Sequence, residues 1–303
     1  MAVIAVTGSG GFIGRHLCDL ASRTGIELRT IPRGAFGESG LPSLLSGVDA
    51  VVHLAAKAHD RQAREDDPDG AFEADNVVVT RRIGDACKAA GVRRLVFVSS
   101  AGVLGASSPP EGFTDASPPA PHDAYTRSKL AAETLLRNGY ADCLDTVIIR
   151  PPLVYGPGAK GSFARLMDLA TTDWPLPLGA MTAPRSLSSV RHLCDLLLRV
   201  TQAPSAGGLC LLVADAETTS IAELARSIRA AVGRPSRVFS IPPAMLSTAL
   251  RLAGRGGDVP RLVEPFVVRA SSALAMLGWA PPHRLQDEIL WTGGCGRSGS
   301  GAL

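Results

Sequence analysis

Ala2-Val-Ile-Ala-Val-Thr-Gly-Ser-Gly-Gly-Phe-Ile-Gly14 opens with five apolar residues and closes on glycines spaced G-x-x-G-x-x-G, at Gly8, Gly11 and Gly14. A short, unbroken apolar run of this kind fits a strand buried on both faces of a parallel sheet. Thr7-Gly8 then turns the chain. From Phe12 the pattern becomes helical, with Phe12, Ile13, His16, Leu17 and Leu20 near one face. A tight turn from strand to helix needs residues that reach positive φ. A side chain at Gly11 would hold a pyrophosphate away from the helix N-terminus, where free N–H groups and the helix dipole favour negative charge. The triplet alone also fits a ligand-free turn. The strand before it and the helix after it are the context of a dinucleotide site.

Around this stretch the chain has room for one large α/β domain or two modest ones, at 303 residues and 46% hydrophobic content. No apolar run reaches the ~18 residues of a membrane span, and the N-terminal run is too short for a signal peptide, so a cytoplasmic protein is expected. The 31 basic and 28 acidic residues are interspersed and leave a net charge of +3, which is no footprint for nucleic acid. Arg81-Arg82 and Arg93-Arg94 read as solvated ends of elements. The six cysteines are scattered without a C-x-x-C, so free thiols are expected, most of them buried, and no metal site.

Strands and helices then alternate. Glu27–Ile31 reads as the second strand, followed by Pro32-Arg33. At this place an acidic residue would bind the ribose 2′-hydroxyl of NAD, whereas an arginine can pair with the 2′-phosphate of NADP. Arg33 therefore leans towards NADP, or is a surface residue at a strand end. Asp49–Ala56 is a buried strand ending in Leu54, Ala55 and Ala56, residues small enough at its tip for a cofactor to lie against the backbone. His53, inside this run, reads as a core histidine. Lys57–Gly70 reads as a surface loop and Ala71–Ala90 as a helix. Arg94–Ser100 is a strand ending in two hydroxyls. Ser107–His122 is a loop, Ala124–Arg137 a helix and Asp145–Arg150 a strand stopped by Pro151-Pro152. Such β-α alternation predicts a Rossmann-type, doubly wound parallel sheet. Beyond it come helices at Ser162–Ala170 and Val190–Thr201 and a strand at Leu209–Val213. Ser220-Ile-Ala-Glu223 is a capping box opening a helix to Val232. A strand at Val238–Ile241, a helix at Pro243–Ala253 and a loop at Arg255–Gly257 follow.

Tyr125-Thr-Arg-Ser-Lys129 sets a phenol and an ammonium four residues apart on one helix face. A tyrosine of ordinary pKa near ~10 is a poor base at neutral pH. A lysine one turn away favours the phenolate, so the pair can exchange a proton with a substrate hydroxyl while a nicotinamide exchanges hydride. Ser100, at a neighbouring strand end, is placed to hold the substrate oxygen. By spacing alone this could be a surface pair. The glycine turn and the Ser-Ser strand end give it a partner set.

The chain resembles the extended short-chain dehydrogenases/reductases that act on nucleotide sugars, the NAD-dependent epimerase/dehydratase family. The resemblance rests on Thr7–Gly14, Val52-His-Leu-Ala-Ala56, Asn76, Phe97-Val-Ser-Ser100, Tyr125–Lys129, Arg150-Pro-Pro-Leu-Val-Tyr-Gly-Pro-Gly158 and Leu277-Gly-Trp279. It implies that Ser100, Tyr125 and Lys129 are catalytic. It implies an NAD or NADP site made of Gly8, Gly11, Phe12, Ile13, Gly14, Arg33, Leu54, Ala55, Ala56, Asn76, Ser99, Tyr125, Lys129 and Pro152. For a UDP-sugar or related sugar nucleotide it implies Ser100, Lys160, Ser162, Arg185 and Arg261. Arginine suits that role because its planar fork can bind two phosphate oxygens.

The stretch after Arg150 is similar to a bacterial subgroup described as UDP-glucose 4-epimerase-like, which lies near reductases of 4-keto sugar nucleotides used for surface polysaccharides. A 4-epimerase, such a reductase and a non-catalytic NAD(P)-binding regulator are the three readings. Family dehydratases carry Asp-Glu where this chain has Ala101-Gly102, which argues against dehydration. The resemblance also suggests a homodimer. The organisation expected is a dinucleotide-binding domain over residues 1–155, rejoined by 186–213. A smaller sugar-nucleotide domain is expected over 156–185 and 214–292, with a disordered Gly/Ser-rich tail over 293–303.

Overall fold

The structure, a computed structural model, describes residues 2–37, 40–56, 73–242, 244, 245, 248 and 260–297. The opening run forms β1 (Ile4–Thr7), the glycines turn the chain, and α1 (Phe12–Thr24) follows. Next come β2 (Leu28–Ile31), a 3-10 turn over Arg33–Gly37, α2 (Leu41–Leu44) and β3 (Ala50–His53). A π-helical turn over Glu73–Val78 runs into α3 (Val79–Ala90), then β4 (Arg94–Val98). After α4 (Ala124–Gly139) and β5 (Asp145–Arg150), the short strands β6 (Leu153–Tyr155) and β7 (Leu187–Ser189) flank α5 (Gly161–Thr171). The rest comprises α6 (Val190–Gln202), β8 (Cys210–Leu212), α7 (Ile221–Ala231), the single turns α8 (Pro260–Val263) and α9 (Ala273–Met276), and α10 (Leu285–Arg297).

Six strands make one sheet in the order β2-β1-β3-β4-β5-β8, and every neighbouring pair is parallel. Alternate residues of each strand feed opposite faces. Ile4, Val6, Val52, Val96 and Val98 pack with Leu17 of α1 and with Leu193, Leu197 and Val200 of α6. Ala5, Val51, Leu95 and Phe97 pack with Ile83 and Cys87 of α3 and with Ala132 and Leu136 of α4. Both faces are covered, which is why these strands read as unbroken apolar runs. Each fully buried Leu, Ile or Val contributes about 1.5–3 kcal/mol. The sequence order reverses between β1 and β3, so the carboxyl ends of these two strands frame the crevice where such sheets bind ligands.

A separate core joins Tyr155 and Phe163 to Leu187, Leu224, Ile228, Leu285 and Ile289. It draws on β6, α5, β7, α7 and α10. β6 pairs in parallel with β7 outside the main sheet, a two-stranded element too short to show as a pattern in the sequence.

Several sequence expectations need correction. Arg94 is no solvated end: its side chain is fully buried, and Nη1 donates to the carbonyls of Val200 (2.8 Å) and Ala203 (2.5 Å) at the end of α6. It thereby satisfies carbonyls that a helix C-terminus leaves unpaired. Val238–Ile241 is no strand; Val238 makes a single bridge to Leu176. The expected disordered tail begins too early, because α10 continues through Gly293 to Arg297. Cys87 and Cys194 are buried, Cys18 and Cys210 half-buried, and Cys143 and Cys295 exposed. The expected Lys57–Gly70 loop, most of the Pro243–Ala253 helix and the Arg255–Gly257 loop lie outside the described residues. Among the described residues no helix is long and apolar enough to cross a membrane.

Candidate active site

At the carboxyl end of β1, Gly8 takes φ +73°, and a Cβ built there would lie 2.8 Å from the backbone N of Ala55. The close approach of the two strand ends thus requires glycine for both conformation and space. Gly11 is the N-cap of α1 and offers no side chain to its first-turn N–H groups. A Cβ on Gly14 would fall 2.2 Å from the carbonyl oxygen of Gly8, whereas one on Gly10 would meet nothing within 4 Å. At Gly8 and Gly14 a Cβ would strike backbone, so glycine lets the strand end, the turn and α1 close on one another and leaves a cradle free of side chains at the helix N-terminus. A dinucleotide pyrophosphate fits it. Gly14→Ala is expected to weaken NAD binding at least tenfold and to lower the melting temperature, because the loop must move. Gly10→Ala is expected to do neither. Calorimetric titration of both variants checks the pair, and equal behaviour would mean that the cradle is not what holds the cofactor.

Across the crevice, Ser100 caps the 3-10 turn Ala101–Leu104, its Oγ accepting from the N–H of Gly102 at 3.1 Å. A Cβ on Gly102 would lie 3.0 Å from Thr126 Cγ2 and 3.2 Å from Ser100 Oγ. Glycine at this place therefore lets the Ser100 turn pack against the first turn of α4. That turn is held by a capping box: Asp123 Oδ1 accepts from the N–H of Thr126 at 2.8 Å, and Thr126 Oγ1 accepts from the N–H of Asp123 at 3.1 Å. Tyr125 follows the cap, half-buried, and Lys129 lies one turn on. The Lys129 ammonium donates to the carbonyl of Val98 at 2.8 Å, lies 4.6 Å from the Phe97 ring centroid and 6.0 Å from that of Tyr125. The carbonyl partner could not be read from sequence, because every residue has one.

Electrostatics in the protein alone differ from the sequence expectation. Burial, and then the Asp123 carboxylate, push the Tyr125 phenol up to about 12, rather than Lys129 drawing it down. Burial holds the Lys129 ammonium down to about 8, and nearby Glu133 partly offsets this. Lys129 gives one of its three donors to Val98 and lies by the Phe97 ring, in surroundings that disfavour charge on it and on the phenol alike. The Tyr125 phenol therefore keeps its proton at neutral pH.

Arg33 is exposed and opens the turn after β2. Leu54, Ala55 and Ala56 follow β3, with Ala55 against Gly8. Asn76 is buried and donates to Ser128 Oγ at 2.8 Å, so it is tied to α4. Ser99 is buried with an Oγ that has no hydrogen-bond partner among the described residues, a donor left over at the tip of β4. Pro152 is buried between β5 and β6. Lys160 and Ser162 are exposed at the N-terminal end of α5. Arg185 donates from Nη2 to the carbonyl of Glu264 at 2.7 Å, while its buried Nε has no partner among the described residues. The side chain of Arg261 lies outside the described residues, although its backbone is part of α8. Phe12 and Ile13 start α1.

Residues 4–209 match the NAD dependent epimerase/dehydratase family. A Vibrio cholerae protein named UDP-glucose 4-epimerase is 32% identical over 312 residues, covering 95% of this chain and 94% of that protein. A Stenotrophomonas maltophilia 2-alkyl-3-oxoalkanoate reductase is 28% identical over 256 residues, covering 77% of this chain and 76% of that protein. Among solved structures, MoeE5 in complex with UDP-glucose and NAD superposes with a TM-score of 0.77 at 24% identity, over 98% of this chain and 99% of that one. The fold is thus shared along the whole length, and the glycine cradle, the Ser100 turn and the Tyr125–Lys129 helix stand at the sheet edge where such folds bind dinucleotides. This chain belongs to the NAD-dependent epimerase/dehydratase family.

Proposed function

We propose that the protein is a nucleoside-diphosphate-sugar 4-epimerase of the UDP-glucose 4-epimerase kind, working as a cytoplasmic homodimer. The observation that carries this reading is the packing of the Ser100 turn against the α4 turn bearing Tyr125, at the carboxyl edge of the sheet that also carries the glycine cradle. The named Vibrio cholerae relative supports it. In this reading residues 1–155 and 186–213 hold the dinucleotide, while 156–185 and 214–292 hold the sugar nucleotide. The bound dinucleotide supplies an acceptor, and then a donor, of hydride. Ser100 Oγ holds the oxygen on carbon 4. Tyr125 takes the proton of that hydroxyl as hydride leaves carbon 4, and returns it when hydride comes back to the other face of the ketone. Lys129 would help to hold the cofactor. Lys160, Ser162, Arg185 and Arg261 bind the diphosphate and sugar, and the Nε of Arg185, which has no partner among the described residues, is a donor suited to a phosphate oxygen.

The deciding experiment incubates the purified protein with UDP-glucose or UDP-galactose and identifies the nucleotide released on denaturation. Interconversion of the two without added cofactor, with NAD released, is the expected result. A second reading, reduction of a 4-keto sugar nucleotide, is supported by the reductases among the relatives of this chain. It predicts no interconversion and consumption of added NADPH with a keto substrate. No activity in either assay would favour a non-catalytic NAD(P)-binding regulator.

The choice between NAD and NADP is assigned to Arg33. Arg33→Asp is expected to lower affinity for NADP about tenfold or more through like-charge repulsion and to leave NAD nearly unchanged. Titration of both cofactors against both proteins checks this. Equal losses would mean that Arg33 does not meet the 2′ position.

A further inference from the structure

His53 reads in the sequence as a core histidine, and burial agrees: it is 1% exposed at the end of β3. Both of its ring nitrogens are nevertheless engaged, and the partners fix which one carries the proton. Thr80 Oγ1 has one proton, which it donates to the carbonyl of Asn76 at 2.5 Å. Toward His53 Nε2, 3.1 Å away, Thr80 can therefore only accept, so Nε2 bears the hydrogen. His53 Nδ1 must then accept, and it does so from Thr7 Oγ1 at 2.7 Å. Thr7 Oγ1 in turn accepts from the N–H of Ala55 at 3.2 Å. Burial, aided by the charge of Lys129, depresses the imidazole pKa to about 3, so the ring stays neutral and the direction of every bond is kept across the physiological range.

The two ends of this chain lie in the two halves of the site. Thr7 immediately precedes Gly8, and Ala55 is the residue against which Gly8 packs. Asn76, at the other end, donates from Nδ2 to Ser128 Oγ at 2.8 Å, and Ser128 donates to the carbonyl of Tyr125 at 2.8 Å. Resting on the reading of Tyr125 given above, we infer that His53 is a positioning residue that sets the glycine cradle and the proton-transfer helix in register through a single tautomer, its Nδ1 serving the cradle and its Nε2 serving Asn76 and α4. A buried hydrogen-bonded chain with every member satisfied is rigid, whereas one with an unmet donor or acceptor shifts to find another partner. Displacements of about 1 Å at a reacting group can cost ~10²-fold in rate.

The two nitrogens can be separated by substitution. The side-chain oxygen of Asn takes the place of Nδ1, so His53→Asn keeps the acceptor for Thr7 and loses the donor to Thr80. The terminal amide of Gln reaches the place of Nε2, so His53→Gln keeps the donor and loses the acceptor. His53→Leu removes both. Each variant is measured for NAD affinity by titration, for kcat in the epimerase assay at saturating cofactor, and for thermal stability. His53→Asn is expected to bind NAD within about twofold of the native protein and to lose about tenfold in kcat. His53→Gln is expected to lose about tenfold in NAD affinity and to keep kcat within about threefold. His53→Leu is expected to lose both. A fall in melting temperature with unchanged NAD affinity and kcat in Asn and Gln alike would show a merely structural histidine and overturn the inference, as would equal losses in both quantities for the two variants. Tyr125→Phe is run alongside. If it keeps full activity, the reading of Tyr125 fails, and the NAD-affinity difference between the Asn and Gln variants still decides whether Nδ1 serves the cradle.

Discussion

Tyr125→Phe is expected to fold, to bind NAD as the native protein does, and to lose turnover by about 10²-fold or more, the usual worth of a positioned acid–base group. The variant removes one oxygen from a half-buried ring and leaves the Asp123 cap and the Lys129–Val98 bond in place. Near-native turnover on the true substrate would sink the assignment. The same residue predicts an asymmetry with pH. In the free protein the phenol is pushed up to about 12 by burial and Asp123, so at neutral pH it holds its proton. That is the form which protonates a ketone oxygen. Removal of a hydroxyl proton needs the phenolate, whose share rises tenfold with each pH unit below the pKa. Sugar oxidation should therefore accelerate as pH rises through the neutral range, while ketone reduction should not. Single-turnover rates in the two directions between pH 6 and 9 read this directly, and parallel profiles would assign the proton transfer to another group.

The second large effect lies beneath the site. Glu133, one turn after Lys129, meets Arg150 of β5 in a two-point ion pair, Nε to Oε1 at 3.0 Å and Nη2 to Oε2 at 2.5 Å, with side chains 1% and 7% exposed. Arg150→Met strands a carboxylate in the core and is expected to cost about 3–5 kcal/mol, whereas the double variant Glu133→Leu/Arg150→Met should recover much of that loss. Chemical denaturation of the two proteins checks it. Equal stability of single and double variants would mean that Glu133 finds another partner. Glu133 also raises the depressed pKa of Lys129. Lys129 titrates near 8 in the folded chain, below its ordinary 10.5, so the unfolded chain binds more protons between those values. This group's contribution to stability consequently rises with pH through that window and is complete above it. Glu133→Gln should extend the lower edge of the window to lower pH.

The residues themselves determined the parallel sheet, the glycine turn and the Tyr125–Lys129 face, because each is written in short-range pattern: unbroken apolar runs, a three-residue glycine period, a four-residue spacing on a helix. The Ser220–Glu223 capping box was legible for the same reason, and the structure forms it from both sides. Tertiary structure decided what those patterns leave open. Arg94 sits beside an exposed arginine in the sequence, and only the arrival of the α6 C-terminus from over a hundred residues away turns it into a buried cap. The pairing of β6 with β7 likewise needs two three-residue strands more than thirty residues apart to meet. The Tyr125 pKa went against expectation because desolvation and the Asp123 cap depend on packing, and because Lys129 takes a backbone carbonyl as its partner. The tautomer of His53 follows from four hydroxyl, carbonyl and amide partners drawn from β1, from the stretch just after β3 and from the helical segment over 76–80. Pattern along a chain specifies which face a residue belongs to, whereas the direction of a hydrogen bond and the cost of a charge depend on atoms that only folding brings together.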